Sequence, residues 1–163
     1  MFYCGNEANI FTFYNTSGFQ SETLAQKFNG IVIYAEHRYF GESIPSTDKS
    51  RSYLTLENAM MDYANLIAYL RQKYQVHNVI TFGGSYGGML ASWMRIKFPS
   101  LVQAAVVSGG PILYFKDSVE APETIFYSWV NQIYASMGKL ENGKCPTLIN
   151  EGLTNLQIFS DDD

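Results

Sequence analysis

A glycine-rich turn around one serine is the feature of this sequence whose residue types and spacing could do chemistry. The segment 83–88 reads Gly-Gly-Ser-Tyr-Gly-Gly and contains the pattern Gly-x-Ser-x-Gly, centred on Ser85. The apolar stretch Val79–Phe82 precedes it, and an amphipathic stretch up to Phe98 follows it. In this strand–turn–helix context a serine hydroxyl is presented on a sharp, strained turn as a nucleophile. The sequence therefore predicts acyl transfer at Ser85.

Other uses of glycine-rich turns fit this segment poorly. A phosphate-binding P-loop needs a Gly-Lys-Ser/Thr ending, and no lysine lies near Ser85. The dinucleotide-binding pattern Gly-x-Gly-x-x-Gly does not match residues 83–88 either. The remaining alternative is a strand-to-helix turn that has no chemical role.

Several residues are predicted to support this serine. Gly83 and Gly87 are needed because a Cβ at either position would clash where the helix packs back on the strand. The backbone N–H of Tyr86 should point towards a developing oxyanion, at the positive end of a helix. α/β-Hydrolases place a second oxyanion donor after an earlier strand, which here predicts the N–H of Gly5 or Asn6. An ordinary turn at Gly5 is the alternative.

The two histidines of the chain, His37 and His77, both precede Ser85. In this fold the catalytic order is serine, then an acidic residue, then histidine. His37 is therefore interpreted as a structural, hydrogen-bonding loop residue, and His77 lies at the wrong end of its strand. No histidine follows Ser85, so we expect the chain to lack the catalytic histidine, and residues 1–4 read as the middle of a strand whose beginning is missing.

Apolar patterns predict an α/β fold with a mostly parallel sheet and crossover helices. Strands are predicted at residues 1–4, 31–35, 79–82 and 104–107, and helices at 56–74, with Thr55 as N-cap, and at 86–98. A weakly periodic segment, 18–28, should turn Phe19, Leu24 and Phe28 inwards. A further helix is predicted at 126–137, and the tail after Gly143 shows no clear periodicity. The division predicted is a partial core at 1–115 and the beginning of a helical domain at 116–163.

Composition excludes several classes of function. The net charge is −4, and the 11 basic residues do not cluster, so no nucleic-acid partner is expected. No apolar run has the length of a membrane span, and the first residues do not form a signal peptide. Cys4 and Cys145 are too few to define a disulfide framework. The predicted chemistry needs neither a metal nor a cofactor.

Four ordered motifs give the chain a resemblance to a known family. They are residues 2–7 (Phe-Tyr-Cys-Gly-Asn-Glu), 15–19, 35–45 (Ala-Glu-His-Arg-Tyr-Phe-Gly-Glu-Ser-Ile-Pro) and 83–90. Together they resemble the serine carboxypeptidase family S28 over most of residues 1 to about 115. Cys4 stands where the family usually has threonine. Residues 108–111, Ser-Gly-Gly-Pro, replace its usual Ser-Ala-Pro pattern.

The resemblance implies an α/β-hydrolase core interrupted by a helical cap, and cleavage of prolyl peptide bonds near a chain end. It makes Ser85 the nucleophile and implies supporting roles for Glu7, Glu36 and Arg38, the last as a buried arginine. Asn15-Thr16-Ser17 is a glycosylation sequon, to which the lysosomal or secreted location of the family gives weight. The resemblance also implies proline-containing peptide substrates and a capacity to form homodimers. Because family members are far longer, it further implies a fragment that lacks the leader, the first strands and the segment with the catalytic aspartate and histidine.

Two rival functions stay open from the sequence. The chain is either part of such a serine exopeptidase or a catalytically inactive short form that binds peptides or a partner. A lipase or esterase could share the serine turn, but the Gly-Asn-Glu and Glu-His-Arg-Tyr motifs argue against it.

Overall fold

The computed structural model describes most of the first two-thirds of the chain and parts of the remainder. The described residues are 1–45, 50–113, 115, 128–130, 132–134, 136, 147–149, 151, 152 and 154. They belong to two units, Met1–Ile112 and Leu113–Asp163, which are described separately. The predicted division into a core at 1–115 and a helical cap at 116–163 stays a prediction.

Four short parallel strands form the sheet of the first unit. They are β1 (Phe2–Cys4), β2 (Ile33–Ala35), β3 (Ile80–Gly84) and β4 (Ala104–Ser108). Their order across the sheet is β2-β1-β3-β4, and each adjacent pair is parallel. Parallel neighbours require crossover connections, which here contain helices. The predicted α/β fold with a mostly parallel sheet is confirmed.

The partner strand sets the length of β2. The apolar run predicted a strand from Ile31, but β2 begins at Ile33 because its ladder with β1 starts at the pair Phe2–Ile33. The carbonyl of Ile31 instead accepts a hydrogen bond from the Met1 amino group at 2.7 Å. An apolar run therefore identified the strand, whereas its first residue depended on the neighbour.

Two helices cover the sheet and carry much of the core. In α3 (Leu56–Tyr74) the Thr55 hydroxyl accepts the N–H of Asn58 at 3.2 Å, so the predicted N-cap is confirmed. α4 (Tyr86–Lys97) follows β3 directly. The buried residues of the two helices join those of β1 in one core cluster: Phe2, Cys4, Met60, Tyr63, Ala64, Ile67, Leu90, Ala91 and Met94. No helix in the described part of the chain combines the length and apolarity needed to cross a membrane.

The connection from β1 to β2 contains more helix than the sequence indicated. It comprises α1 (Ile10–Thr16), a π-helical turn (Phe19–Leu24) and the short α2 (Ala25–Lys27). Asn9 caps α1 by accepting the N–H of Phe11 at 2.9 Å, a signal that could have predicted this helix. The inward placement of Phe19 and Phe28 was wrong, because these side chains are 62% and 69% exposed. The weak periodicity of this segment did not reflect one continuous helix with a buried face.

The second unit is helical where it is described. Residues 128–130, 132–134 and 136 lie within the predicted 126–137 helix, whose two terminal residues are outside the described part. Residues 147–149, 151, 152 and 154 are also helical, although the tail showed no clear periodicity. Cys145 is outside the described residues.

The strand order creates a topological switch point at one end of the sheet. From β1 the chain moves outwards to β2, then returns past β1 to place β3 on its other side. The connections leaving the carboxyl ends of β1 and β3 therefore diverge, and such switch points are where open α/β sheets bind ligands. The loop after β1 begins at Gly5 and the turn after β3 holds Ser85, so the predicted site residues meet at this switch point.

Two adjacent methionines in α3 offer a matched test of this core. Met60 is 8% exposed and Met61 is 48% exposed. We expect Met60→Ala to lower the free energy of unfolding by about 2–4 kcal/mol, because it leaves a cavity in the core. Met61→Ala should change it by less than about 0.5 kcal/mol. Urea unfolding of both variants measures the difference, and equal costs would contradict the burial of this helix face.

Candidate functional site

Ser85 lies in a sharp turn between β3 and α4, in a strained backbone conformation. Its φ of 53° and ψ of −125° are unusual for a residue with a side chain. Such a conformation costs on the order of 1–3 kcal/mol and persists only where the surroundings impose it. Here the Ser85 N–H donates to the Ser108 carbonyl at 2.9 Å, while the Ser85 carbonyl accepts the N–H groups of Gly88 and Met89 at 3.0 and 3.1 Å.

The Ser85 hydroxyl is not used to build the structure. Serine at a helix N-cap usually accepts a backbone N–H, but Ser85 makes no such capping bond. The residue is exposed, and it stands at the positive end of α4. Within the described part of the chain no base is hydrogen-bonded to this hydroxyl. Ser85 is thus exposed, and its hydroxyl takes no part in capping α4.

Gly83 and Gly87 are sterically required at this turn, as predicted. A Cβ on Gly83 would lie 2.1 Å from the Gly87 carbonyl oxygen. A Cβ on Gly87 would lie 2.5 Å from the carbonyl oxygen of Cys4, at the end of β1. Both neighbours are backbone atoms, so they cannot move aside as a flexible side chain would. The first turn of α4 therefore touches the ends of both β3 and β1.

The loop after β1 brings one of the two predicted oxyanion residues to the turn. The Gly5 N–H donates to the Ala35 carbonyl at 2.9 Å, so this N–H is committed to the sheet and not available to a ligand. Of the two predicted donors, only Asn6 can still supply its backbone N–H to a ligand, and its oxyanion role stays a prediction. The Asn6 Cβ would lie 3.5 Å from a Cβ on Gly87, and Asn6 Oδ1 is buried without a hydrogen-bond partner in the described region. Glu7, which follows, is exposed and acts through its charge on His37 and Tyr86.

Tyr63 holds this loop from behind, a role that the sequence reading missed. Its hydroxyl donates to the Gly5 carbonyl at 2.8 Å in a buried position, and its ring packs edge-on against Phe2 at 5.5 Å. Burial raises the pKa of Tyr63, so the hydroxyl remains a donor. The sequence pattern placed Tyr63 on the apolar face of the 56–74 helix and predicted no role for its hydroxyl. A tyrosine at a core position signals a buried hydroxyl that needs a partner.

Glu36 organises the loop that follows β2. Its carboxylate accepts the N–H groups of Ile10, Glu42 and Ser43 and the Ser43 hydroxyl, at 2.8–3.1 Å. Partial burial opposes ionisation, but these four hydrogen bonds together hold the pKa of Glu36 below its ordinary value. The carboxylate thus fixes both ends of the loop and the start of α1. The predicted supporting role of Glu36 has a structural counterpart here.

Arg38 links the same loop to α3. Its guanidinium forms a two-pronged ion pair with Asp62, at 2.7 Å from Nε and 2.6 Å from Nη2. A third hydrogen bond joins Nη1 to the Tyr53 carbonyl at 3.0 Å. The arginine was expected to be buried, but its side chain is 22% exposed. Arg38 therefore supports the loop at the protein surface, and Asp62 is a partner that sequence reasoning did not identify.

Neither histidine is placed to activate Ser85. His37 is buried, with Nδ1 at 2.8 Å from the Arg38 carbonyl and Nε2 at 3.2 Å from the Tyr86 hydroxyl. The interpretation of His37 as a hydrogen-bonding loop residue is confirmed. His77 is exposed and precedes β3, whereas Ser85 follows it. The five residues of β3, about 17 Å of strand, lie between the two.

Asn15 lies apart from this site, in the last turn of α1. It is exposed, as is Thr16, and Ser17 ends the helix. The acceptor nitrogen of the predicted sequon is therefore open to solvent.

The glycines give a direct test of the turn geometry. We expect Gly83→Ala to lower the free energy of unfolding by about 2 kcal/mol or more, because the added methyl group meets backbone atoms. Gly84→Ala is the control, since its Cβ would find the nearest atoms at 3.8 Å. The control should change stability by less than about 1 kcal/mol. Chemical denaturation measures both, and a Gly83→Ala protein as stable as the control would refute the close approach of α4.

Comparison with known proteins agrees with this architecture. The family model of serine carboxypeptidase S28 matches residues 1–162. Lysosomal Pro-X carboxypeptidase of Bos taurus is 41% identical over 147 residues, which cover 85% of this chain and 29% of that protein. The Homo sapiens protein of the same name is 41% identical over 73% of this chain and 26% of its own length. Prolyl carboxy peptidase like protein 5 of Caenorhabditis elegans is 34% identical over 85% of this chain and 29% of its own length.

The chain thus spans less than a third of the length of these curated relatives. Its parallel sheet, its serine turn and its match along nearly the whole sequence agree with one another. The chain belongs to the serine carboxypeptidase S28 family, whose fold is that of the α/β-hydrolases.

Proposed function

We propose that this chain supplies the nucleophile-bearing part of a serine peptidase that acts on peptides through an acyl-enzyme on Ser85. The observation that carries the proposal is the strained, exposed Ser85 at the N-terminus of α4, with its hydroxyl left out of the helix cap. A serine held in this way costs stability and has no structural use, which is typical of a reacting group. The names of the relatives supply the substrate class, prolyl peptide bonds near a chain end.

In the proposed reaction the Ser85 oxygen attacks the carbonyl carbon of the scissile bond. A histidine from outside this chain takes the hydroxyl proton and later gives it to the leaving amine, with an aspartate orienting the ring. The N–H groups of Tyr86 and Asn6 stabilise the oxyanion of the tetrahedral intermediate. Water then attacks the acyl-enzyme, with the same histidine as base, and releases the acid and the free Ser85 hydroxyl.

A second candidate function is a non-catalytic protein that binds peptides or a partner. The positions of the two histidines favour it for the 163-residue chain by itself. His37 is buried with both ring nitrogens hydrogen-bonded, and His77 is at the opposite end of β3. Loss of triad members typically costs on the order of 10⁴- to 10⁶-fold in turnover.

A chimera tests whether Ser85 is a working nucleophile. This chain would replace the matching 147-residue segment of the bovine relative, so that the rest of that protein supplies the missing groups. We expect the chimera to hydrolyse a prolyl-peptide substrate and to react at Ser85 with a fluorophosphonate probe. The chain alone should label at least about 10⁴-fold more slowly.

Two variants of the chimera serve as controls. Ser85→Ala should abolish hydrolysis and labelling, whereas Ser92→Ala, whose hydroxyl only donates to the Met89 carbonyl, should leave both intact. A folded chimera that is inactive and unlabelled would refute the peptidase function and favour the binding protein. Activity on acyl esters without activity on prolyl peptides would instead indicate an esterase.

We further propose that the protein is lysosomal or secreted and carries a glycan at Asn15. The lysosomal relatives and the exposure of Asn15 support this. Expressed through a secretory pathway, the protein should lose mass on glycosidase treatment, and Asn15→Gln should remove that loss. Asn65→Gln, at an exposed asparagine outside any sequon, is the control. A protein without a glycan that Asn15→Gln removes would rule out this modification.

A further inference from the structure

His37 is a buried titratable group beside the serine turn that the proposed mechanism leaves unused. Its Nδ1 is 2.8 Å from the Arg38 carbonyl oxygen. Because a carbonyl can only accept, Nδ1 carries the ring proton. In the neutral ring Nε2 is then an acceptor, and the Tyr86 hydroxyl at 3.2 Å donates to it. The hydrogen-bond geometry thus defines both the tautomer and the direction of each bond.

Three aromatic rings enclose this imidazole. The ring centroids of Phe40, Tyr86 and Tyr63 lie 5.4, 5.5 and 6.3 Å from that of His37, and His37 is 1% exposed. These rings come from the loop after β2, from α4 and from α3. The imidazole is therefore held in place by three different elements and in turn holds Tyr86.

The groups facing His37 favour the uncharged ring. Burial lowers the pKa of His37 most, and the positive charge of Arg38 lowers it further. The hydrogen bond to the Arg38 carbonyl and the negative charges of Asp62 and Glu7 act in the opposite direction, but the net shift is downwards. Tyr63 and Tyr86 also face the ring, and burial raises the pKa of each, so neither adds a charge.

Tyr86 connects this ring to the strained serine. It directly follows Ser85, and its backbone N–H is the one expected to meet the oxyanion. A hydroxyl anchored to a buried ring fixes the Tyr86 side chain and limits how far the backbone of residues 85 and 86 can relax. We propose that His37 is a positioning residue, which holds the Ser85 turn in its reactive conformation by accepting a hydrogen bond from Tyr86. A catalytic benefit of this positioning rests on the proposed function, whereas the structural test of it does not.

The direction of the pH effect follows from this arrangement. The pKa of His37 in the folded protein lies below the ordinary value of 6.5 that applies in the unfolded chain. At a pH between these two values the unfolded state therefore binds more protons than the folded state. The contribution of His37 to stability is therefore complete above pH about 6.5 and is lost as the pH falls through the folded pKa. Protonation places a proton on Nε2, which turns the acceptor towards Tyr86 into a donor and puts a cation among three rings.

The test uses the complete 163-residue chain with ¹⁵N-labelled histidine and amide groups. The chain has two histidines and therefore gives two sets of ring ¹⁵N resonances. The set that disappears in His77→Gln belongs to His77, which assigns the other set to His37. We expect His37 to show the Nδ1–H tautomer and to titrate below 6.5. The amide resonances of residues 85–89 should titrate with the same midpoint, because the ring acts on the turn through Tyr86.

Variants separate positioning from mere packing. Tyr86→Phe should abolish the titration of these amides while His37 still titrates. His37→Phe should speed hydrogen exchange at the Gly88 and Met89 amides by about two- to tenfold, the equivalent of one hydrogen bond. His37→Gln, whose side-chain oxygen can accept from Tyr86, should restore slow exchange and abolish the pH dependence.

Two results would overturn the proposal. One is that the neutral His37 ring carries its proton on Nε2. The other is that the amide resonances of residues 85–89 do not shift as His37 titrates, or that they shift equally in Tyr86→Phe. If His37→Phe does not fold, the wild-type and Tyr86→Phe titrations still decide. None of these signals depends on turnover, so an inactive chimera would refute the peptidase function without touching this result.

Discussion

Contact between backbone atoms at the start of α4 is the constraint on which the rest of the structure depends. Gly87 meets the Cys4 carbonyl at the end of β1, and Gly83 meets Gly87 itself. This approach leaves no room for a Cβ and draws the carboxyl ends of two strands to the same helix turn. Asn6, which follows β1, lies beside Gly87 for that reason. The site is thus a consequence of how closely one helix can pack on a sheet.

Around this contact, side-chain hydrogen bonds secure both loops. Tyr63 of α3 bonds the carbonyl at the start of the loop after β1. Glu36 closes the loop after β2 on itself, and Arg38 ties that loop to Asp62 of α3. His37 then joins the loop after β2 to Tyr86. A reacting group needs such supporting contacts, because a small displacement of its geometry is costly in rate.

The sequence predicted the parts of the structure that depend on local pattern. Apolar runs located all four strands, periodicity and the Thr55 cap located α3, and Gly-x-Ser-x-Gly located the turn at Ser85. What it could not predict depends on pairing across distance. The bounds of β2 are set by β1, and the commitment of the Gly5 N–H to Ala35 is a property of the sheet ladder. The sequence did not identify Asp62 as the partner of Arg38 or Tyr63 as the partner of the Gly5 carbonyl. A helix pattern shows which residues face inwards but not which groups their polar atoms contact.

The long sequence separations in this site bear on when it forms during folding. The strained Ser85 is held through Ser108, 23 residues ahead, and its neighbour Tyr86 through His37, 49 residues behind. No local segment can therefore stabilise the strained conformation of Ser85 by itself, because closing these long loops costs conformational entropy. The serine turn can assume its native shape only after β4 has joined the sheet and the β2 loop has docked. A growing or partly unfolded chain would thus contain Ser85 but not the strained turn that presents it.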